Sequence, residues 1–298
     1  MKILYTGSNG LLGQKISIAT PQYPQHEFLA TSRGENRTQG MGTASYASMD
    51  ITDRDDVFRL VQEFQPDVII HGAAMTHVDQ CELNPEQATL MNVEGTRNMA
   101  EAAQAVGAHI VHISTDFIFD GKDGPYKEDA EPNPVSHYGW TKLEAERIIT
   151  ALDHYSILRT VLVIGMAEDL SRSNIVLWAK GALEKGAPIN VVDDQFRTPT
   201  LAEDLAQGAL LAADQRAQGV FNISGPDYMS IYELVGQVAD HFNLSMDTVT
   251  RVDSTTLNQP AKRPPVTGFD ISKARKELGY NPHTFKEALE IISKQAGL

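Results

Sequence analysis

The chain has 298 residues, enough for one large α/β domain or for one domain with a smaller lobe attached. Its 25 basic and 39 acidic residues give a formal net charge of −14, which disfavours nucleic acid or an anionic membrane as the main partner. Cys81 is the single cysteine, so an intrachain disulfide is excluded and a reducing, cytoplasmic location is expected. No apolar run in the sequence approaches the length needed to cross a membrane.

The first half of the chain alternates short apolar runs with longer amphipathic ones. The apolar runs predict buried strands at 3–5, 27–30, 68–71, 109–113 and 155–159. Apolar residues spaced three and four apart predict helices at 12–19, 55–64, 85–105 and 136–150. Strands and helices in regular succession predict an α/β protein with a doubly wound parallel sheet of the Rossmann type.

The pattern changes after about residue 165. Helices predicted at 174–184, 202–213 and 231–242 now alternate with proline-containing loops, and the polar stretch 253–268 is predicted to be an ordered loop. We expect residues 1–164 to form the Rossmann domain. Residues 165–298 are expected to form mainly a smaller α/β substrate-binding lobe, with some later segments returning to the first domain.

Three glycines, Gly7, Gly10 and Gly13, follow the first strand at once and open the first helix. In such a turn the first glycine permits the tight bend, the second lets a pyrophosphate approach the backbone, and the third lets helix and strand pack closely. The helix N-terminus supplies N–H groups and the positive end of the helix dipole. The sequence therefore predicts an NAD(P)-binding domain whose phosphate loop consists of Gly7, Asn9, Gly10, Leu11, Leu12 and Gly13.

The GxxGxxG spacing of this loop resembles the extended branch of the short-chain dehydrogenase/reductase superfamily. A further strand, third in chain order, is expected just before Asp50, and the resemblance implies that Asp50 and Ile51 meet the adenine. Arg33 ends the second strand, where no acidic residue is present to hold a free ribose hydroxyl. An arginine at this place suits a 2′-phosphate, so NADP(H) is favoured and NAD(H) stays possible. The stretch after the fourth strand is expected to line the cofactor and consists of Ala73, Ala74, Met75 and Thr76.

Tyr138 and Lys142 lie one turn apart on the same face of a predicted helix. A nearby cation stabilises phenolate, so we expect Lys142 to lower the pKa of Tyr138 and to make it a general acid. Both residues are also expected to contact the cofactor, Lys142 through the nicotinamide ribose. Thr115, at the carboxyl end of the fifth strand, is expected to bind the reacting oxygen, and Asp116 to lie beside the substrate, because ligands of open α/β sheets bind at that edge.

Residues 114–121 read Ser-Thr-Asp-Phe-Ile-Phe-Asp-Gly, which resembles the STDYVFDG segment of dTDP-4-dehydrorhamnose reductases. The resemblance extends over nearly the whole chain. Residues 73–82 are similar to the family's AAxTxVDxxE, residues 92–95 to its NxxG and residues 194–200 to its DQxGxPT loop. Arg263-Pro264, followed by residues 270–273, is similar to its terminal RPxxSxLDxxK. The sequence is therefore identified as a member of this family.

The resemblance implies that hydride passes from NAD(P)H to the C4 ketone of a dTDP-linked 4-keto-6-deoxyhexose. Tyr138 would donate the proton, Lys142 would hold the ribose and Thr115 would steady the oxygen. Three departures leave the identity of the sugar open: Leu162 stands for the family's tryptophan, Phe117 for a tyrosine and Arg197 for a glycine. The substrate contacts that we expect are Thr76, Val78, Thr115, Asp116, Leu162, Gln195, Arg197 and Arg263.

Two alternatives remain open at this point. Residues 71–74, 119–121, 124–126 and 138–143 resemble the beta subunit of methionine adenosyltransferase, a regulatory protein that binds NADP and is not a catalyst. The second alternative is a nucleotide-sugar epimerase or dehydratase. Dehydratases carry an acidic pair beside the threonine, whereas here only Asp116 is present. No metal site is expected, because His71 and His77 lack metal-ligand spacing. The expected partner is a nucleotide sugar, and the chain is expected to be a monomer or a homodimer.

Overall fold

The computed structural model describes residues 1–168 and 174–297 of the chain. Residues 169–173 and 298, which belong to the predicted second lobe, lie outside the described residues. The strands are β1 (Lys2–Thr6), β2 (Glu27–Ser32), β3 (Ser45–Ser48), β4 (Val68–His71), β5 (His109–Thr115), β6 (Tyr155–Thr160), β7 (Val163–Ile164), β8 (Ile189–Val192), β9 (Phe196–Arg197), β10 (Thr200–Leu201), β11 (Gly219–Ile223), β12 (Met229–Ser230), β13 (Val249–Val252) and β14 (Val266–Thr267). The helices are α1 (Leu11–Ala19), α2 (Arg54–Phe64), α3 (Val78–Leu83), α4 (Pro85–Thr89), α5 (Gly95–Val106), α6 (His137–Thr150), α7 (Ile175–Glu184), α8 (Ala202–Gln215), α9 (Ile231–Phe242), α10 (Ser272–Leu278) and α11 (Phe285–Gln295).

The centre of the molecule is a parallel sheet with the strand order β11-β6-β5-β4-β1-β2-β3. Its inner strands are largely buried, as β4 is along its whole length, because helices cover both faces. From β1 the chain continues to β2 and β3 on one side of β1, and then crosses to β4 on the other side. The direction in which strands are added to the sheet therefore reverses between β1 and β4. The predicted Rossmann-type doubly wound sheet is confirmed.

Two predictions of local structure differ from the structure. The helix predicted at 85–105 is divided into α4 and α5 by a wider π-helical turn at Leu90–Glu94, in which Asn92 is buried. The predicted ordered loop at 253–268 ends in β14, which pairs in parallel with β9. Strand pairing across the second lobe, which no local pattern records, is the physical reason for the second difference.

Buried side chains form separate cores. The two faces of the sheet carry one core each, and the core that contains Leu205 of α8 and Phe221 of β11 also contains residues of β1 and β4. A further core, with Val176 of α7, Leu234 of α9 and Leu289 of α11, belongs to a smaller lobe. The packing thus groups α8 and β11 with the sheet, while the predicted division at residue 164 stays a prediction. Within the described ranges, no helix is long and apolar enough to span a membrane.

Candidate active site

A cavity of about 590 Å³ opens at the carboxyl edge of the sheet, beside the reversal of strand order between β1 and β4. Ligands of open α/β sheets bind at such a position. The cavity brings together predicted residues from widely separated parts of the chain. Its lining includes Gly7, Asn9, Gly10, Leu11, Leu12, Gly13, Arg33, Asp50, Ile51, Ala73, Ala74, Thr76, Val78, Thr115, Asp116, Tyr138, Lys142 and Leu162. Met75, Gln195, Arg197 and Arg263 are not part of this lining.

The glycine turn has the geometry of a phosphate loop. Gly7 has a φ of 78°, in the left-handed region, and its carbonyl accepts a hydrogen bond of 2.8 Å from the Gly10 N–H. A Cβ on Gly13 would collide with the backbone of Gly7 and Ser8, so α1 lies directly against the turn. No side chain caps the N-terminus of α1 at Gly10, and its first N–H groups have no acceptor within the helix. These donors at the cavity wall fit a pyrophosphate.

Two arginines border the far end of the cavity. The Arg33 side chain is 74% exposed and its Nη1 lies 3.9 Å from Asp50 Oδ2. Arg37 was not predicted as a site residue; its backbone N–H donates to Asn9 Oδ1 at 2.8 Å, which ties the arginine loop to the glycine turn. The signal that was available is a second arginine four residues after Arg33 in a loop already assigned to the cofactor. Two guanidinium groups at this end fit a phosphate monoester.

Thr115 and Tyr138 both line the cavity wall. The Thr115 side chain lies near the Tyr138 phenol, whose ring packs edge-on against Phe117 with centroids 5.7 Å apart. Burial raises the pKa of Tyr138 above its ordinary value, and the nearby Thr115 side chain opposes this only in part. The expectation of a lowered pKa for Tyr138 is therefore wrong for this structure, because burial dominates over any cation. The phenol is protonated at neutral pH, which suits a proton donor.

Lys142 is buried one turn further along α6. Its Nζ donates to the Ile113 carbonyl at 2.8 Å and lies 3.1 Å from Nε2 of His112, both on β5. Burial lowers the pKa of Lys142 to about 8, and the negative charge of Glu146 opposes that change. The lysine thus keeps a positive charge at the cavity wall at neutral pH, but loses it more readily than an exposed lysine does.

Asn92 fixes the backbone that follows β4. Its Oδ1 accepts from the Met75 N–H at 2.7 Å, and its Nδ2 donates to the Met75 carbonyl and to Thr141 Oγ1, both at 3.0 Å. The amide therefore clamps the strand-end segment of Met75 against α6, the helix that carries Tyr138. Sequence reasoning noted Asn92 only as part of the NxxG resemblance and missed this structural role.

Asp116 is buried behind the threonine. It accepts hydrogen bonds from Thr115 at 3.1 Å and from Thr267, and its Oδ2 lies 3.8 Å from Nε of Arg197. Burial raises the pKa of Asp116, and the charge of Arg197 opposes that rise. Arg197 itself donates to the carbonyls of Pro264 and Pro265 at 2.8 and 3.0 Å. Its guanidinium is committed to these groups, so the predicted contact of Arg197 with substrate stays a prediction.

Three other predicted substrate residues have distinct surroundings. Arg263 forms two hydrogen bonds with the carboxylate of Asp79, at 2.8 and 3.0 Å. Gln195 is buried and lies 3.5 Å from Nη2 of Arg197. Leu162 borders the cavity in a left-handed conformation, with a φ of 38°. Among residues 1–168 and 174–297, no cluster of His, Cys, Asp or Glu is suited to hold a metal ion.

The doubly wound sheet and its glycine turn are those of the extended short-chain dehydrogenase/reductase class, and Thr115, Tyr138 and Lys142 line the same cavity. A profile of the RmlD substrate binding domain matches residues 1–297. The chain belongs to this family, and the predicted family is thereby confirmed.

The relatives carry two different names. A dTDP-4-dehydrorhamnose reductase from Aggregatibacter actinomycetemcomitans is 32% identical over 308 residues, and the match covers 99% of each chain. Methionine adenosyltransferase 2 subunit beta from Xenopus tropicalis is 32% identical over 281 residues, which cover 92% of this chain and 82% of that protein.

Solved structures agree with the fold over the full length. A crystal structure of a dTDP-4-dehydrorhamnose reductase from Clostridium acetobutylicum has a TM-score of 0.87, with 32% identity and coverage of 100% of both chains. A dTDP-4-dehydrorhamnose reductase from Bacillus anthracis, in complex with NADP, has a TM-score of 0.84 with 28% identity and 99% coverage of both chains.

Proposed function

We propose that this chain catalyses the NAD(P)H-dependent reduction of the C4 ketone of a dTDP-4-keto-6-deoxy sugar, as a dTDP-4-dehydrorhamnose reductase does. NADP(H) is the favoured cofactor and NAD(H) a possible one. The observation that carries this proposal is the placement of Thr115, Tyr138 and a buried Lys142 on the wall of the cavity that the glycine turn also lines. The reductase relative that matches 99% of the chain supports the same reaction.

The cofactor site is proposed from the donors at the cavity wall. The free N–H groups of the first turn of α1 would hold the pyrophosphate, and Arg33 and Arg37 the 2′-phosphate. Asp50 and Ile51 border the adenine end. The remaining proposed cofactor contacts are Ala73, Ala74, Met75 and Thr76. Of these, Ala73, Ala74 and Thr76 line the cavity wall between the two ends, and the Met75 backbone is held by Asn92.

The bound nicotinamide supplies the hydride, and the side chains of this chain manage the proton. As the carbon accepts hydride, the ketone oxygen takes the proton of the Tyr138 phenol, so the C=O double bond is replaced by a C–H and an O–H bond. The Thr115 hydroxyl holds the same oxygen, and the Lys142 ammonium stabilises the phenolate that remains. Solvent returns a proton to Tyr138. The raised pKa of Tyr138 keeps its resting form protonated.

The sugar is proposed to lie beyond Thr115 in the same cavity. Thr76, Val78, Asp116 and Leu162 border this part. Leucine lacks the flat aromatic face on which a sugar stacks, so we expect Leu162 to contribute shape rather than a stacking platform. Substrate contacts of Gln195, Arg197 and Arg263 remain proposals, since those side chains face neighbouring protein groups.

The direct test is an assay of the purified protein with NADPH and a dTDP-4-keto-6-deoxy-L-hexose, in which loss of the reduced nicotinamide is followed by absorbance. We expect oxidation of NADPH that depends on the sugar nucleotide. Tight binding of NADPH without turnover would overturn the reductase proposal. That result would favour the second candidate, a cofactor-binding regulatory protein. The relatives named methionine adenosyltransferase 2 subunit beta are the reason for considering it.

A further inference from the structure

The Lys142 ammonium is held from the β5 side by two adjacent residues. Its Nζ lies 2.8 Å from the Ile113 carbonyl oxygen and 3.1 Å from His112 Nε2. An ammonium group has three N–H bonds. Since Lys142 also lines the cavity, two acceptors on β5 leave one N–H for whatever occupies the cavity.

His112 accepts this bond as a neutral imidazole. The ring is 1% exposed, and burial, followed by the charge of Lys142 and by His71, holds the pKa of His112 well below its ordinary value. A neutral imidazole carries one proton. Because Nε2 faces the ammonium, the proton resides on Nδ1, which has no hydrogen-bond partner among the described residues.

Stability alone does not account for a histidine at this place. A buried donor without a partner lowers the stability of the fold, and a leucine or methionine would avoid that loss. Other buried histidines of the sheet are bonded within the fold. His71 lies 2.9 Å from Thr6 Oγ1 and 3.1 Å from Thr96 Oγ1, and His109 lies 2.8 Å from Ser156 Oγ. His112 differs from them, because among the residues that the structure describes its imidazole has a polar contact only with Lys142.

We propose that His112 is a positioning residue for Lys142: its imidazole accepts one ammonium N–H and, with the Ile113 carbonyl, directs another towards the cofactor. The inference rests on the proposed function only in assuming that a nicotinamide cofactor occupies the cavity. In this proposal β5 both positions the Lys142 ammonium and stabilises its charged form. Without this acceptor the desolvated ammonium would lose its proton at a lower pH, because a hydrogen bond to the charged form stabilises that form.

Other titratable groups surround the lysine. On its own helix these are Tyr138 and Glu146, and Glu146 is paired with Arg159 of β6. From the sheet, His71 of β4 and His112 of β5 face it, and both are neutral because burial holds the pKa of each far below its ordinary value. The substitution of His112 therefore changes a hydrogen bond and not a charge.

The test compares three variants with a matched control. In His112→Gln the amide oxygen can reach the position of Nε2, whereas in His112→Asn it reaches only that of Nδ1, and His112→Leu has no acceptor. His109→Leu removes a buried histidine of the same strand that is bonded to Ser156 and not to the lysine. NADPH affinity is measured by fluorescence titration from about pH 7 to about pH 10, where the 2′-phosphate no longer titrates.

We expect the wild type, His112→Gln and His109→Leu to lose NADPH affinity as the pH rises through about 8. In His112→Asn and His112→Leu the midpoint of this loss moves to lower pH by about one pH unit. Turnover by these two variants at neutral pH falls about 10- to 100-fold, because the lysine is misplaced, while His112→Gln retains most of it.

The same midpoint in wild type, His112→Asn and His112→Leu would overturn the proposal, as would an equal displacement in His109→Leu. If His112→Leu does not fold, the comparison of His112→Gln with His112→Asn decides. Binding midpoints are measured without a sugar substrate. An absence of turnover by every variant therefore contradicts the reductase function and leaves the decision on His112 to the binding data.

Discussion

Arg159 at the end of β6 and Glu146 of α6 form a buried, two-pronged ion pair, with N–O distances of 3.0 and 2.8 Å and side chains that are 6% and 5% exposed. The same guanidinium donates to the Glu128 carbonyl at 2.9 Å and lies over the Phe119 ring. The pair joins the sheet to α6, the helix that carries Tyr138, so it connects stability to the position of the site.

Removing one partner of this pair should be costly. We expect Arg159→Leu to lower the free energy of unfolding by about 3–5 kcal/mol, because Glu146 is then buried without a counter-charge. The double variant Arg159→Leu/Glu146→Leu should recover part of that loss, since no lone charge remains. Urea denaturation measures both. Arg147→Leu, which breaks an exposed pair with Glu144, is the control; a single Arg159 variant as stable as this control would contradict the prediction.

We expect the buried Lys142 to lower the free energy of unfolding. Its pKa of about 8 in the folded protein, against an ordinary 10.5, corresponds to roughly 3 kcal/mol against folding with the lysine charged. Because the folded pKa is the lower one, the cost is fully present below about pH 8 and disappears as the pH rises towards 10.5.

We therefore expect Lys142→Met to raise the free energy of unfolding at about pH 7 by roughly 1–3 kcal/mol, after the loss of the lysine's hydrogen bonds is counted. The gain should shrink as the pH rises, and the variant should be inactive. Denaturation at several pH values checks this, with Lys185→Met on an exposed lysine as the control. A Lys142→Met protein less stable than wild type at neutral pH would refute the prediction.

Tyr138→Phe should separate chemistry from binding. Loss of the phenolic proton should lower kcat by about 10²- to 10⁴-fold, the usual contribution of a positioned general acid. NADPH affinity should stay within about two-fold, because the ring and its packing on Phe117 are retained. Tyr155→Phe, at the start of β6 and outside the cavity, is the matched control. Undiminished turnover by Tyr138→Phe would remove this residue from the proposed mechanism.

Arg33 and Arg37 should decide the choice of cofactor. We expect Arg33→Ala and Arg37→Ala each to weaken NADPH binding by about 10-fold and to leave NADH binding nearly unchanged, because only NADPH carries the 2′-phosphate. Titration with both nucleotides gives the ratio. Arg97→Ala, which removes an exposed arginine paired with Glu94, should change neither affinity. If the ratio of the two affinities is unaltered in both variants, the arginines do not recognise the phosphate.

Local sequence patterns predicted the strands and helices whose formation depends on residues close together in the chain. The run at 68–71 coincides with β4 residue for residue, because a strand buried on both faces is rich in apolar residues. β3 reads Ser-Tyr-Ala-Ser and is largely exposed at the sheet edge, so its bounds carried no apolar signal. The place of β11 beside β6 depends on pairing between Gly219 and Ser156, far apart in the chain, and no local pattern records such a contact.

The site divides in the same way. The sequence by itself determined the glycine turn and brought Thr115, Tyr138 and Lys142 to one edge, because parallel strands end on the same side and a helix repeats its face every turn. Only the tertiary structure decided how those groups ionise. The spacing of Tyr138 and Lys142 predicted a lowered tyrosine pKa, but the depth of burial raises it and lowers that of the lysine. Solvent exclusion is a property of the packed molecule, so no spacing along the chain could have revealed it.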